Sequence, residues 1–379
     1  MNTKITVFIQ CDEGHPVCGN CKISQRDCRY KDMLVPQSTE SLCLENRSKR
    51  SLQKESESYS STSSSTSSEF GEYSGYGEVN MQHLELFRHF AEKHPTFFGY
   101  NNGTFGISSS EMTGMILAAP YTVYQSLALA ALHLSVTLPA RRRTLRKHAT
   151  DLQRHALAKF ERMDPKLDAG DCVSVFLFKS IHAFHVLSEK LTNCSKSFDG
   201  LLEDITDVMR LHQEVHAVTR RSWDSLLQSA LNPILQREPK TLHHGLPGAE
   251  CEELLARVHS ASIDLSTKKV YTEAIQSLQA AFNGSRSNGS GSSAIGPIIS
   301  WLVVAPPCFM NLISEKRPEA LVILSYFGAL LHMHREIWAF GNGGGYIVES
   351  VTCFLNDSWS AWLHWPNQIC RDCVAKIYT

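Results

Sequence analysis

The feature that most limits what this chain can fold into is an apolar period of three to four residues, recurring from about residue 79 onward with scarcely any strand-like alternation. Met81, Leu84, Phe87, Phe90 and Ala91 open it, and Pro95 is expected to end that first helix because proline removes an amide donor. Tyr121 to Leu138 is apolar on nearly every side, which predicts a central helix stopped by Pro139. Arg141 to Met163 is amphipathic, with Leu145, Ala149, Leu152, Ala156 and Phe160 facing inward. Further helices are predicted over Cys172 to Lys190, Phe198 to Val215, Ser222 to Leu231, Ala249 to His259 and Ser266 to Ala281. A terminal block adds Trp301 to Ile313, Pro318 to Phe340, Tyr346 to Leu355 and Trp359 to Trp365. The expected fold class is all-α.

Ahead of this region the composition changes. Ser51 to Ser68 is too polar to bury enough apolar area to order itself, so residues 36–78 are expected to be a Ser-rich disordered linker. It separates a small module over residues 1–35 from a helical domain over 79–379. A second polar stretch, Asn283 to Gly296, predicts a flexible loop over 283–297. The chain of 379 residues is 42% hydrophobic with a formal net charge of -1, enough to bury a full core. Residues 1–54 carry nine Lys and Arg against six Asp and Glu, a small positive excess suited to phosphate. Met112 to Ala140 and Ala320 to Leu331 are the most apolar stretches. The first is interrupted by Pro120, Gln125 and His133, and the second is short of the roughly 20 residues a bilayer requires, so both read as buried core helices and no membrane span is expected.

Of the twelve cysteines, four lie close together near the N-terminus. Cys11, Cys18, Cys21 and Cys28 follow the spacing C-x6-C-x2-C-x6-C, around one proline and two glycines. The short spacer lets two thiolates of one turn grip the same ion, and the longer ones return the chain for the remaining ligands, so the quartet reads as a structural Zn2+ site. The other cysteines are scattered singly and follow no secretory signal, which points to a reducing compartment.

The stretch "CDEGHPVCGNCKISQRDCRY" resembles the second two-thirds of the fungal binuclear zinc cluster, a six-cysteine DNA-binding module in which two zinc ions share six thiolates. Cys11, Cys18, Cys21 and Cys28 match the third to sixth family cysteines. The family's first C-x2-C and its basic groove-reading helix have no counterpart, since Met1 to Gln10 holds no cysteine and one basic residue. Four thiolates suffice for one tetrahedral zinc where an intact member holds two. Two origins account for this: a gene-model artefact resembling a translated intron end, or a genuine truncation. A second resemblance spans most of residues 80–370. "LALAALHLSVTLPARRRTLRKHATDLQRHALAKF" and "KRPEALVILSYFGALLHMHREIWAFGNGGGYIVESV", followed by "LHWP", are similar to the fungal-specific transcription factor domain of regulators like the sterol-uptake control protein.

Together the resemblances imply a nuclear regulator of RNA polymerase II genes, with shuttling from the cytoplasm, that controls sterol or secondary-metabolite pathways. Double-stranded DNA carrying G·C-rich triplet half-sites would be its partner, with Lys22, Arg26, Arg29 and Lys31 as backbone contacts. A homodimer is usual in the family, although no heptads follow Cys28. The helical domain would be the regulatory part, binding a sterol-like or other apolar ligand against Trp301, Phe309, Leu321, Leu324, Phe327, Leu331, Trp338 and Trp362, unless these residues are ordinary core. The alternative is a truncated member without DNA binding, acting on a ligand or a partner protein.

Other motifs carry less. His212-Gln213-Glu214-Val215-His216 places two imidazoles one turn apart, but Glu214 is one position late for a metalloprotease helix. Cys370-Arg371-Asp372-Cys373 has redox spacing without a preceding strand or partner pair. Gly341 to Gly345 lacks the Gly-Lys-Ser/Thr of a phosphate cradle and suits a helix C-cap and turn. The basic run Arg141, Arg142, Arg143, Arg146 and Lys147 has two readings, a DNA-binding patch or a solvated helical face, of which the second is preferred. Nothing in the sequence argues for an enzyme.

Overall fold

A computed structural model describes residues 79–100, 106–165, 170–194, 197–236, 247–286 and 293–375 of the chain, the last with side chains to residue 371. The chain divides into two units, residues 1–73 and 74–379, and every described residue belongs to the second. The zinc quartet, the four DNA-contact candidates and the Ser-rich linker lie outside the described residues.

Among the described residues the fold is all-α, with no strand. In chain order the helices are α1 Met81–Phe97, α2 Ser109–Leu117, α3 Pro120–Thr137, α4 Arg142–Met163, α5 Cys172–Thr192, α6 Phe198–Arg221 and α7 Trp223–Leu227. They continue as α8 Glu252–Ser260, α9 Leu265–Ser285, α10 Ile295–Val304, α11 Pro307–Ser314, α12 Pro318–Met333, α13 Gly343–Leu355 and α14 Ser360–Ala375.

Local chemistry starts several of them. Asn80 accepts from the amide of His83, Ser197 from that of Gly200 and Asp264 from that of Thr267, while Ser108 and Glu111 form a reciprocal capping box. Two buried helices organise the packing. The central helix expected over Tyr121 to Leu138 is α3, enclosed by α1, α2, α4 and α5. The second is α12, buried at every position from Ala320 to His332 and covered by α9, α13 and α14. Helices α5 and α6 pack together between them, α5 touching α3 and both touching α13. The amphipathic face of α4 buries Leu145, Ala149, Leu152 and Ala156 as its periodicity predicts.

Several boundaries differ from the sequence expectation, each for an identifiable reason. Pro95 does not end α1, which runs on to Phe97. Proline leaves the carbonyl of Ala91 without its ladder donor, and the His94 ring takes that role, with Nδ1 3.1 Å from the oxygen. The single helix expected over Trp301 to Ile313 is two, α10 and α11, bent by 83° at Ala305-Pro306-Pro307. The short helix expected over Ser222 to Leu231 stops at Leu227, where Ser229 turns its hydroxyl back on the Leu226 carbonyl. Helix α12 stops at Met333, and the chain reaches Phe340 through tight turns such as His334 N–H to Leu331 O and Ile337 N–H to His334 O. At the polar stretch, α9 continues to Ser285 and α10 begins at Ile295, inside the expected loop. Among the described residues no single helix is long and apolar enough to cross a membrane. The bent pair α10–α11 reaches the length only when its two halves are counted together.

Candidate functional site

The terminal block proposed as a pocket wall is closed core. Trp301, Phe309, Leu321, Leu324, Phe327 and Leu331 are all fully buried, and the Trp301 ring stacks on Phe327 at 4.4 Å and meets Phe309 edge-on at 5.9 Å. The Trp301 indole N–H donates to the Ala274 carbonyl at 2.9 Å, which satisfies its one polar atom. Trp338 and Trp362 are only partly buried and pack on this core from outside, Trp338 donating to the Phe97 carbonyl.

A cavity of about 360 Å³ opens elsewhere, among the end of α1, helices α5 and α6, the short helical stretch 232–236 with the preceding Leu231, and α10. None of the eight pocket candidates lines it. Its walls are Phe90, Phe98, Phe176, Phe184, Ile181, Val215, Ile295, Ile299 and Val303 with their apolar neighbours. No Asp, Glu, Lys or Arg is among the lining residues. Size and lining both fall within the range of small-molecule sites.

The few polar groups on this wall differ in what they have left to give. Thr219 and Ser300 turn their hydroxyls to their own backbone, onto Val215 O at 2.8 Å and Pro297 O at 2.6 Å. Ser180 keeps a buried Oγ that has no hydrogen-bond partner. His212, on α6 and 3% exposed, sets Nδ1 2.8 Å from the Val208 carbonyl. A carbonyl only accepts, so Nδ1 carries the proton and Nε2 keeps its lone pair. Burial pushes this imidazole down to about 4, and the ring is neutral near pH 7. His216, one turn further along the same helix, also lines the cavity and is half-buried. Lys179, next to Ser180, pairs with Glu214 at 2.8 Å across the α5–α6 contact.

The wall formed by α10 is held at both ends. Ser293 donates to the Phe98 carbonyl beyond α1, and the Gln213 amide of α6 donates to Ala305 O at 3.2 Å. A much smaller void of about 20 Å³, beside the Lys190–Asp204 ion pair and Gly343, has room for a single water.

The sequence motifs take the following places. The His212–His216 pair, which the sequence offered only as an incomplete metalloprotease motif, belongs to the cavity wall. Gly341 has a left-handed φ of 46°, and Gly343 to Gly345 form the first turn of α13 rather than a C-cap. His332 abuts that turn: a Cβ on Gly345 would lie 3.1 Å from its Nδ1. Of the basic run, Arg141 pairs with Glu85 and Arg146 donates to Thr192 O and Oγ1, whereas Arg142, Arg143 and Lys147 are exposed. Cys370 is half-buried near the end of α14. Among the described residues no three His, Cys, Asp or Glu side chains converge as a metal site. Comparison with protein-family models, curated proteins and solved structures finds no match to this chain.

Proposed function

We propose that this protein is a zinc-dependent transcription regulator of fungal type, in which an N-terminal cysteine module contacts DNA and the helical unit senses a small apolar ligand. The observation that carries the reading is the spacing C-x6-C-x2-C-x6-C at Cys11, Cys18, Cys21 and Cys28, which has a ready explanation in tetrahedral thiolate ligation. The cavity between α5, α6 and α10, with no Asp, Glu, Lys or Arg on its lining, supports the sensing half, because most of what it offers a ligand is apolar area. In this reading the zinc is structural: it would hold the module's fold, while Lys22, Arg26, Arg29 and Lys31 grip phosphates. The regulator acts in the nucleus on sterol or secondary-metabolite genes.

A second reading, a ligand- or partner-binding relative that does not contact DNA, is favoured by the composition of residues 1–10, which hold no cysteine and one basic residue. One experiment separates the two. The zinc-loaded chain is titrated against duplexes carrying G·C-rich triplets in single and repeated arrangements. The regulator reading expects saturable binding that is lost in Cys18→Ala and Cys21→Ala and falls steeply with salt. Binding no stronger than to an unrelated duplex would select the second reading.

A further inference from the structure

We infer that the α5–α6–α10 cavity takes an uncharged apolar molecule of about fourteen non-hydrogen atoms that donates one hydrogen bond, its hydroxyl directed at His212 Nε2. This rests on the ligand-sensing half of the proposed function and gives it a chemical class.

The size follows from volume. An apolar cavity of about 150 Å³ holds benzene, and about 360 Å³ scales in proportion to roughly fourteen such atoms. A sterol is larger than that space and would have to protrude from its open side. The polarity follows from what the wall leaves unspent. His212 is fixed as the Nδ1–H tautomer by the Val208 carbonyl, so the nitrogen left without a partner can only accept. A ligand hydroxyl matches it, giving its hydrogen to Nε2. An ether has no hydrogen for Nε2. A carboxylate would face the same lone pair, with no Lys or Arg on the lining to offset its desolvation. A ligand that covers Nε2 without offering it a hydrogen leaves that acceptor desolvated and unpaired, which favours the hydroxyl.

The probes are 4-phenylphenol, 4-methoxybiphenyl, biphenyl, biphenyl-4-carboxylate and ergosterol, titrated into the full chain by calorimetry at neutral pH. The phenol is expected to bind about five- to tenfold tighter than the ether, with the carboxylate and the sterol weakest. In His212→Phe, which keeps a flat ring, that preference should shrink to within about twofold. Equal affinity of phenol and ether in the unsubstituted chain would overturn the inference while leaving the cavity a ligand site, as would tightest binding of carboxylate or sterol. If no probe binds, biphenyl included, the ligand-sensing reading itself fails along with the inference.

Discussion

His212 shows how one buried side chain ties stability to pH. The folded protein holds this imidazole neutral down to about 4, well below the ordinary 6.5, because burial penalises its charged form. Above about pH 6.5 neither folded nor unfolded chain protonates it, and no penalty exists. As pH falls from there toward 4 the unfolded chain binds a proton that the folded one refuses, so stability drops, levelling off only below the folded value. For His212 alone the loss at pH 5 relative to pH 8 is about 2 kcal/mol. His133 and His182 are likewise pushed to about 4, and His185 to about 3, all chiefly by burial. Urea unfolding at a series of pH values should therefore show stability falling steeply below neutrality, and His212→Phe should flatten that slope by about one proton. An unchanged slope would mean that the ring is not held neutral. His89 and His133 repeat the theme as a pair, Nε2 to Nδ1 at 3.0 Å, where a single shared hydrogen satisfies both rings and a second proton would set like charges side by side.

At the scale of helices, the crossing of α12 and α13 depends on glycine. A Cβ on Gly344 would lie 2.4 Å from both the Gly328 carbonyl and the His332 amide, and one on Gly343 would lie 2.7 Å from the Leu191 carbonyl. These are backbone atoms that no rotamer change can move aside. Gly344→Ala should cost about 1–3 kcal/mol or more and lower the thermal midpoint, whereas Gly114→Ala, in open space on α2, should raise stability by about 0.5–1 kcal/mol. Melting curves of the two variants give opposite signs if the crossing is as close as described. The sequence made most helices legible because α3 and α12 are long and apolar and α4 has a clear period. Breaks were harder. Pro95 looked like a stop but is bridged by its neighbouring histidine, while Pro306-Pro307 stood inside an expected helix and divided it. The cavity was least legible, because Phe184, Ile299 and Val303 on its wall carry the same signal as Trp301 and Phe327 in solid core. Periodicity reports which side of a helix is dry, and whether another side chain fills the facing space depends on how helices far apart in sequence meet.

For the whole molecule, the division at residue 73 separates the cysteine quartet from helices α1 to α14. For the proposed regulator, stripping zinc with a chelator should abolish DNA binding while leaving the far-ultraviolet helical signal and the cooperative melt of the helical unit within error. A collapse of helicity on chelation would show that the metal supports both units. Within the helical unit, α10 is stapled at Ser293 to the segment after α1 and at Ala305 to α6. A bar fastened at both ends cannot swing as a gate hinged on one side does; it yields only by bowing at its middle or by letting go of an anchor. An occupant pressing on Ile299 and Val303 would thus load both anchors at once, and the slow amide exchange of Ile295 and Ala305, which bond to Ser293 Oγ and Trp301 O, would change in step. Filling one chamber is in this way felt together by two helices that lie far apart along the chain.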